Sequence, residues 1–178
     1  MTKQPAPLLF YAAKRHKRLG LVWAAVSQRG VWSAAYGIDE PRFCDHILER
    51  GPAQLVKQPA AAADVLEQIH EFLAGTRRRF ELNVDLSGMT PFQVAVRKAV
   101  MAVRYGQTAS YGDIAAAVGK PRAARAVGGV QAGNPISFII PCHRIIGADG
   151  SLAGYGGFGG LETKRWLLKL EGTELRKP

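Results

Sequence analysis

The chain has 178 residues, 47% apolar and 21% charged, the make-up of a core-bearing globular protein long enough for one large or two small domains. This composition excludes a low-complexity chain, and two cysteines exclude a disulfide framework. With no signal peptide and no apolar run of membrane-spanning length, a soluble cytoplasmic protein is expected. With 24 Lys+Arg against 14 Asp+Glu the net charge is +10, a balance that suits a polyanionic partner and says nothing of fold.

The first recognisable elements are strands. Phe10 to Ala13, Gly20 to Val26 and Gly30 to Gly37 are aromatic and apolar runs punctuated by glycine or basic residues, which predicts an antiparallel sheet. Asp64 then opens a helix whose apolar face is Val65, Leu66, Ile69, Phe72 and Leu73, with Gly75 as its stop. Pro5-Ala6-Pro7 and the stretch from Pro59 to Ala63 read as loose connections. Thr90-Pro91 starts a second helix, with Phe92, Val96, Ala99 and Val103 on one face and an end at Gly106. Ser110, followed three residues later by Asp113, caps a helix running to Val118, and Gly119 stops it. Arg122 to Val127 restarts a helix that ends by Gly133-Asn134-Pro135, so the pair reads as a helix-turn-helix.

The chemistry is expected further on, where Ile139-Ile140-Pro141-Cys142-His143-Arg144-Ile145-Ile146 sets a cysteine, a histidine and an arginine between apolar runs. A thiolate is the nucleophilic form of cysteine, and a basic or cationic neighbour favours it. In isolation such a cysteine reads more readily as a small, inert buried hydrophobe. The neighbouring helix argues for the chemical reading. Ala123, Ala124, Ala126, Gly128 and Gly129 strip it of long side chains apart from its arginines and Gln131, so it is built for close approach, with Arg125 free to reach inward. The charge is placed to match. Residues before position 90 carry 12 basic and 9 acidic groups, whereas the remainder carries 12 and 5.

A cysteine beside a DNA-binding helix suggests a thiolate that attacks something carried by DNA, and from Thr90 to Gly172 the sequence resembles the O6-alkylguanine-DNA alkyltransferases. The resemblance rests on Thr108-Ala109-Ser110-Tyr111-Gly112-Asp113-Ile114-Ala115, Ala124-Arg125-Ala126-Val127-Gly128-Gly129, Gly133-Asn134-Pro135 and Ile140-Pro141-Cys142-His143-Arg144. Gly154-Tyr155-Gly156-Gly157 and Lys164-Arg165-Trp166-Leu167-Leu168 extend it. It implies an α/β protein with a ribonuclease H-like α/β domain over residues 1–89. A mostly helical winged helix-turn-helix domain carrying the reactive cysteine follows over residues 90–178.

The implied activity is DNA repair by irreversible, single-turnover transfer of the alkyl group from O6-alkylguanine, with O4-alkylthymine a second candidate, to Cys142 after base flipping. The implied roles are His143 as base, Glu171 as its orienter, Asn134 as a hinge and Tyr111 as the residue that rotates the nucleotide and protonates the departing guanine. Arg125 is the finger that fills the vacated stack. Ser110, Ala123, Ala124, Ala126 and Gly128 join it at the minor groove, and Tyr155, Gly156, Gly157 and Pro141 line the pocket. The partner is double-stranded DNA containing alkylated guanine, bound by a monomer or cooperatively, with no cofactor and no membrane. The glycine run Gly154-Tyr155-Gly156-Gly157-Phe158-Gly159-Gly160 is longer by a Phe-Gly step than in some family members, and a plain mobile connection is the alternative reading of it.

Basic runs at Lys14-Arg15-His16-Lys17-Arg18 and Arg77-Arg78-Arg79 read as solvated surface. Some family members bind zinc through the N-terminal part. Here His16, Cys44, His46 and His70 lack ligand spacing, and no metal is expected. A damage sensor without chemistry would not need Cys142, and a redox role would need a Cys-x-x-Cys pair that is absent. A hydrolase would need a distant base and an oxyanion hole, and would turn over.

Overall fold

A computed structural model describes residues 6–173. Pro5 of the first proline-rich connection, and the outermost residues of both expected domains, lie outside the described residues.

Strands β1 (Leu8–His16), β2 (Gly20–Ser27) and β3 (Gly30–Tyr36) form the expected antiparallel meander. A fourth strand, β4 (Gln54–Lys57), joins the other edge parallel to β1, giving the order β3-β2-β1-β4. A parallel neighbour requires a crossover, and helix α1 (Glu40–Leu48) supplies it, started by Asp39, whose side chain accepts from the Arg42 amide. Both elements escaped the sequence reading: β4 is short and mostly exposed, and α1 buries only Phe43 and Ile47.

Successive strand residues face opposite sides of a sheet, and here both sides are covered. Trp23, Ala25 and Trp32 pack on Phe43 and Ile47 of α1. Val22, Ala24 and Ala34 pack on the opposite side with Ala62, Leu66, Ile69 and Phe72 of helix α2 (Pro59–Leu73). That helix starts five residues earlier than Asp64, because proline suits the first turn and the alanines after it are strong helix formers.

The remainder is mostly helical, with α3 (Pro91–Met101), α4 (Tyr111–Ala117), α5 (Ala124–Ala132) and α6 (Gly160–Leu170) around a two-stranded parallel pair, β5 (Ala109–Ser110) and β6 (Ile145–Ile146). Thr90 with Gln93, and Ser110 with Asp113, form reciprocal capping boxes that start α3 and α4. Helix α3 stops at Met101, short of Gly106, where the chain turns with a positive φ of 77°.

Side chains from both sides of residue 90 share one core. Phe72 is fully buried and its ring lies 5.4 Å from Phe80, 6.1 Å from Phe138 and 6.1 Å from His143. Strand β3 also extends its hydrogen bonding across the junction: Ala34 N donates to Pro135 O and Ser137 N donates to Ala34 O. Among the described residues no helix is long and apolar enough to cross a membrane.

One core predicts one unfolding transition. Phe72→Ala should lower stability by about 3–5 kcal/mol without splitting the transition, measured by urea denaturation followed through both tryptophan fluorescence and far-UV circular dichroism.

Candidate active site

Buried Ile139, Ile140 and Pro141 lead into a single 3₁₀ turn, Cys142–Arg144, which continues as β6. The turn separates three neighbouring side chains. Cys142 is only partly buried and opens on a cleft of about 720 Å³, whereas His143 and Arg144 point into the interior.

There the Glu171 carboxylate, just past the end of α6, receives both. His143 Nε2 donates to Glu171 Oε1 at 2.7 Å, and Arg144 donates through Nε (2.9 Å to Oε2) and Nη2 (3.0 Å to Oε1). The Gly106 amide adds a bond of 2.9 Å to Oε2. Burial alone would raise the Glu171 pKa, but the bonds and charges of His143 and Arg144 outweigh it and hold the carboxyl well below its ordinary value. Burial lowers the His143 pKa despite the opposing pull of Glu171, so the imidazole is neutral near pH 7. With Nε2 donating, Nδ1 is the free base nitrogen, and it is buried with no hydrogen-bond partner among the described residues.

Asn134, in the turn after α5, ties this turn to the thiol. Its Oδ1 accepts from Ile136 N, and its Nδ2 donates to Ile140 O at 2.8 Å and to Cys142 Sγ at 3.2 Å. Burial holds the Cys142 pKa above its ordinary value, and the Asn134 bond together with the charges of Lys164 and Arg97 offsets this only in part. Tyr111, first residue of α4, has its phenol pushed up by burial and by Cys142, which keeps the proton on. Burial does the same to Tyr155, whose hydroxyl lies 3.0 Å from that of Tyr36 on β3. Gly156 and Gly157 are glycines for reasons of space: a Cβ on the first would press on Ala132 O, and one on the second would overlap Tyr36 and Tyr155.

The structure therefore gathers Cys142, His143, Glu171, Asn134, Tyr111, Pro141, Tyr155, Gly156 and Gly157 around one thiol. Arg125 and Ala126 stand exposed on the outer side of α5, with Ala123 and Ala124 half-buried. Gly128 faces the Tyr111 ring, and the Ser110 hydroxyl is committed to Asp113 as a cap. Among the described residues no group of three His, Cys, Asp or Glu side chains is placed to hold a metal ion.

Three further residues belong to this site. Lys164 on α6 is fully buried and donates to the carbonyls of Ile145, Leu152 and Gly154, fixing the segment between the cysteine turn and Tyr155. Burial brings its pKa down to about 8, against the opposing pull of Cys142. Arg97 on α3 and Tyr36 on β3 are the others, both buried and both lining the cleft. Lys164 had a legible signal, since it sits at helical spacing from Leu161, Leu167 and Leu168 on an otherwise apolar face.

A cysteine opening on a cleft, followed in the same turn by a histidine held by a buried carboxylate, is an arrangement suited to cysteine-dependent group transfer. Comparison with known proteins makes the class specific. Residues 91–173 match the family described as 6-O-methylguanine DNA methyltransferase, DNA binding domain. The methylated-DNA-protein-cysteine methyltransferase of Mycobacterium tuberculosis H37Rv is 44% identical over 130 residues, 73% of this chain and 77% of that one. That of Methanosarcina barkeri is 43% identical over 125 residues, covering 70% and 77%. The crystal structure of M. tuberculosis OGT in complex with DNA superposes with a TM-score of 0.74 at 34% identity, covering 92% of each chain. The O6-methylguanine-DNA methyltransferase of Pyrococcus kodakaraensis superposes with a TM-score of 0.64 at 26% identity, over 93% and 99%. The chain belongs to the methylated-DNA-protein-cysteine methyltransferase family.

The Glu171 cluster predicts a specific acid sensitivity. Its folded-state pKa lies below the ordinary 4.5, so its stabilisation is complete above that pH and is lost as pH falls through the lower folded value. Glu171→Gln should cost about 3–5 kcal/mol at pH 7 by leaving Arg144 uncompensated, and should flatten the fall in stability below pH 4.5. Urea denaturation at a series of pH values measures both.

Proposed function

We propose that Cys142 is the alkyl acceptor of a direct DNA repair reaction, and that the protein flips an O6-alkylguanine out of duplex DNA to reach it. The family assignment carries the class of reaction, DNA repair by alkyl transfer to cysteine. The observation that supports the residue is the buried His143–Glu171 bond of 2.7 Å in the same short turn that begins at Cys142.

In this scheme His143 Nδ1 takes the thiol proton through one water. Cys142 Sγ attacks the alkyl carbon, an S–C bond forms, and the C–O6 bond breaks with its electron pair staying on the guanine. Tyr111 then supplies the proton that leaves a neutral guanine, and its raised pKa suits a donor that must stay protonated until then. The atoms and charges balance with no cofactor. A thioether is a poor leaving group, so the protein reacts once.

Helix α5 suits a groove wall because Ala123, Ala124 and Ala126 add little bulk, and exposed Arg125 is the side chain long enough to fill the gap left by the flipped base. The minor groove is narrow, which favours this helix there over the usual major-groove docking. Ser110 contributes by holding α4 in register through its cap, and Gly128 by leaving room for the Tyr111 ring. Pro141, Tyr155, Gly156 and Gly157 wall the base pocket.

We assign residues 90–178 the DNA contacts and the acceptor, as a winged helix-turn-helix, and residues 1–89 a ribonuclease H-like scaffold. The working form is a cytoplasmic protein acting as a monomer, with cooperative binding along DNA a property to be measured by its salt and length dependence.

Two measurements test the scheme. Peptide mass spectrometry after mixing with a duplex holding one O6-methylguanine should find one methyl, on the peptide carrying Cys142, saturating at one per protein; Cys142→Ala should bind the same duplex and take none. Arg125→Ala should slow transfer from the duplex by tenfold or more, about the few kcal/mol that unstacking demands, with little effect on transfer from the free modified base. Equal losses on both substrates would remove the finger role.

A further inference from the structure

Arg97 has no place in the scheme above, yet it is among the most costly side chains in the protein. It is 3% exposed, in the middle of α3, and makes no ion pair among the described residues. A buried guanidinium without a counter-charge is strongly disfavoured, and such groups persist where something compensates them. Its hydrogen bonds point to the compensating group. Nη2 donates to Gly133 O at 2.8 Å, Nη1 reaches Asn134 Oδ1 at 3.4 Å, and Nε meets the Met89 sulfur at 3.2 Å. Asn134 in turn aims its amide hydrogens at Cys142 Sγ, 3.2 Å away. Arg97 and Cys142 also line the same cleft.

We propose that Arg97 is the counter-charge of the Cys142 thiolate, acting on it through the Asn134 side chain, and is therefore a positioning residue for the nucleophile. An amide whose oxygen faces a guanidinium is polarised so that its N–H donates more strongly, and a thiolate is the better acceptor. The thiolate is likewise the negative group that steadies Arg97: burial lowers the guanidinium pKa and Cys142 raises it.

The groups around the thiol leave this job open. From α4 it faces Tyr111, from β3 Tyr36 and from the glycine segment Tyr155, all neutral phenols with raised pKa values. From α6 it faces Lys164, whose ammonium is occupied by three carbonyls. His143 is neutral, and Arg144 is paired with Glu171. Around Arg97 itself, Arg50 repels it and is held by the carbonyls of Trp32, Asp85 and Ser87, and Arg42, His46 and Glu49 line the same cleft without forming an ion pair with it. Arg97 is thus the permanently charged cation whose balance depends on the thiol.

The inference rests on Cys142 being the acceptor, so the test separates the two. The rate of iodoacetamide alkylation of Cys142, read by peptide mass spectrometry from pH 5 to 10 with Cys44 as internal control, gives the thiolate midpoint without DNA. Arg97→Gln keeps a donor for Gly133 O and removes the charge. It should raise the midpoint by about one unit, a tenfold loss of rate below both midpoints, with rates converging at high pH. Arg97→Lys should keep the wild-type midpoint.

A purely structural role would lower the melting temperature of both variants and scale the rate equally at every pH. Superimposable midpoints for wild type and R97Q, or a folded R97K with the raised midpoint of R97Q, would overturn the proposal. If R97Q does not fold, Arg97→Met is the second uncharged variant: it should show the raised midpoint, and a wild-type midpoint in R97M would overturn the proposal. Failure of wild type to take a methyl on Cys142 while the midpoints separate would sink the acceptor assignment and leave the Arg97 role standing.

Discussion

The Glu171 carboxylate is the point on which the site depends. Four donor groups converge on its two oxygens, from two separate stretches of chain: His143 Nε2 with Arg144 Nε and Nη2 of the cysteine turn, and the Gly106 amide of the turn after α3. Tyr105 adds a bond from its hydroxyl to Leu170 O, one residue before Glu171. An acid buried this deeply survives only because its charge is matched and its lone pairs are filled. The same arrangement leaves Nδ1 as the free nitrogen of His143, so one carboxylate sets both the fold of the turn and the tautomer of its histidine.

The opposite wall of the site comes from the sheet. Strand β3 bonds to Pro135 and Ser137, on either side of Ile136 and just after Asn134, and its last residue, Tyr36, meets Tyr155 hydroxyl to hydroxyl. Gly37 then leaves room for the Phe158 ring, which a Cβ at that position would overlap. Phe158 remains largely exposed on the cleft that holds the thiol. Phe158 of the glycine segment is thus seated against the end of the N-terminal sheet. A purely mobile connection would not meet a matching glycine across the interface, so the width of the pocket is set jointly by both ends of the chain.

What the sequence revealed follows the range of the interactions involved. Local signals were readable: the helix start at Thr90-Pro91, the cap at Ser110 with Asp113, the stop at Gly119, the apolar runs of the first three strands between glycines and basic residues, and the Pro141-Cys142-His143-Arg144 string with its family resemblance. Short elements with little burial were not, as α1 and β4 show, and Pro59 was read as a break although it begins α2. The residues missed at the site, Tyr36, Arg97 and Lys164, act across the fold. Each is a polar side chain whose meaning depends on which carbonyl, amide or hydroxyl it meets; helical spacing marks Lys164 as the odd residue on an apolar face, but no spacing names its partners.

The interior around the thiol is rich in charge for a protein of this size. Arg97, Arg144, Lys164 and Glu171 are all buried within one neighbourhood, three cations against one permanent anion. Such a set is poorly balanced while Cys142 keeps its proton, and it gains a second anion when the thiol gives that proton up. A catalyst that turns over must tolerate the nucleophile in several states and must also release product. An acceptor that reacts once meets neither demand. Its interior needs to suit only the reactive form, so the nucleophile is free to sit on a rigid turn, wedged between a polarised amide and a fixed base, with glycines placed for clearance around it.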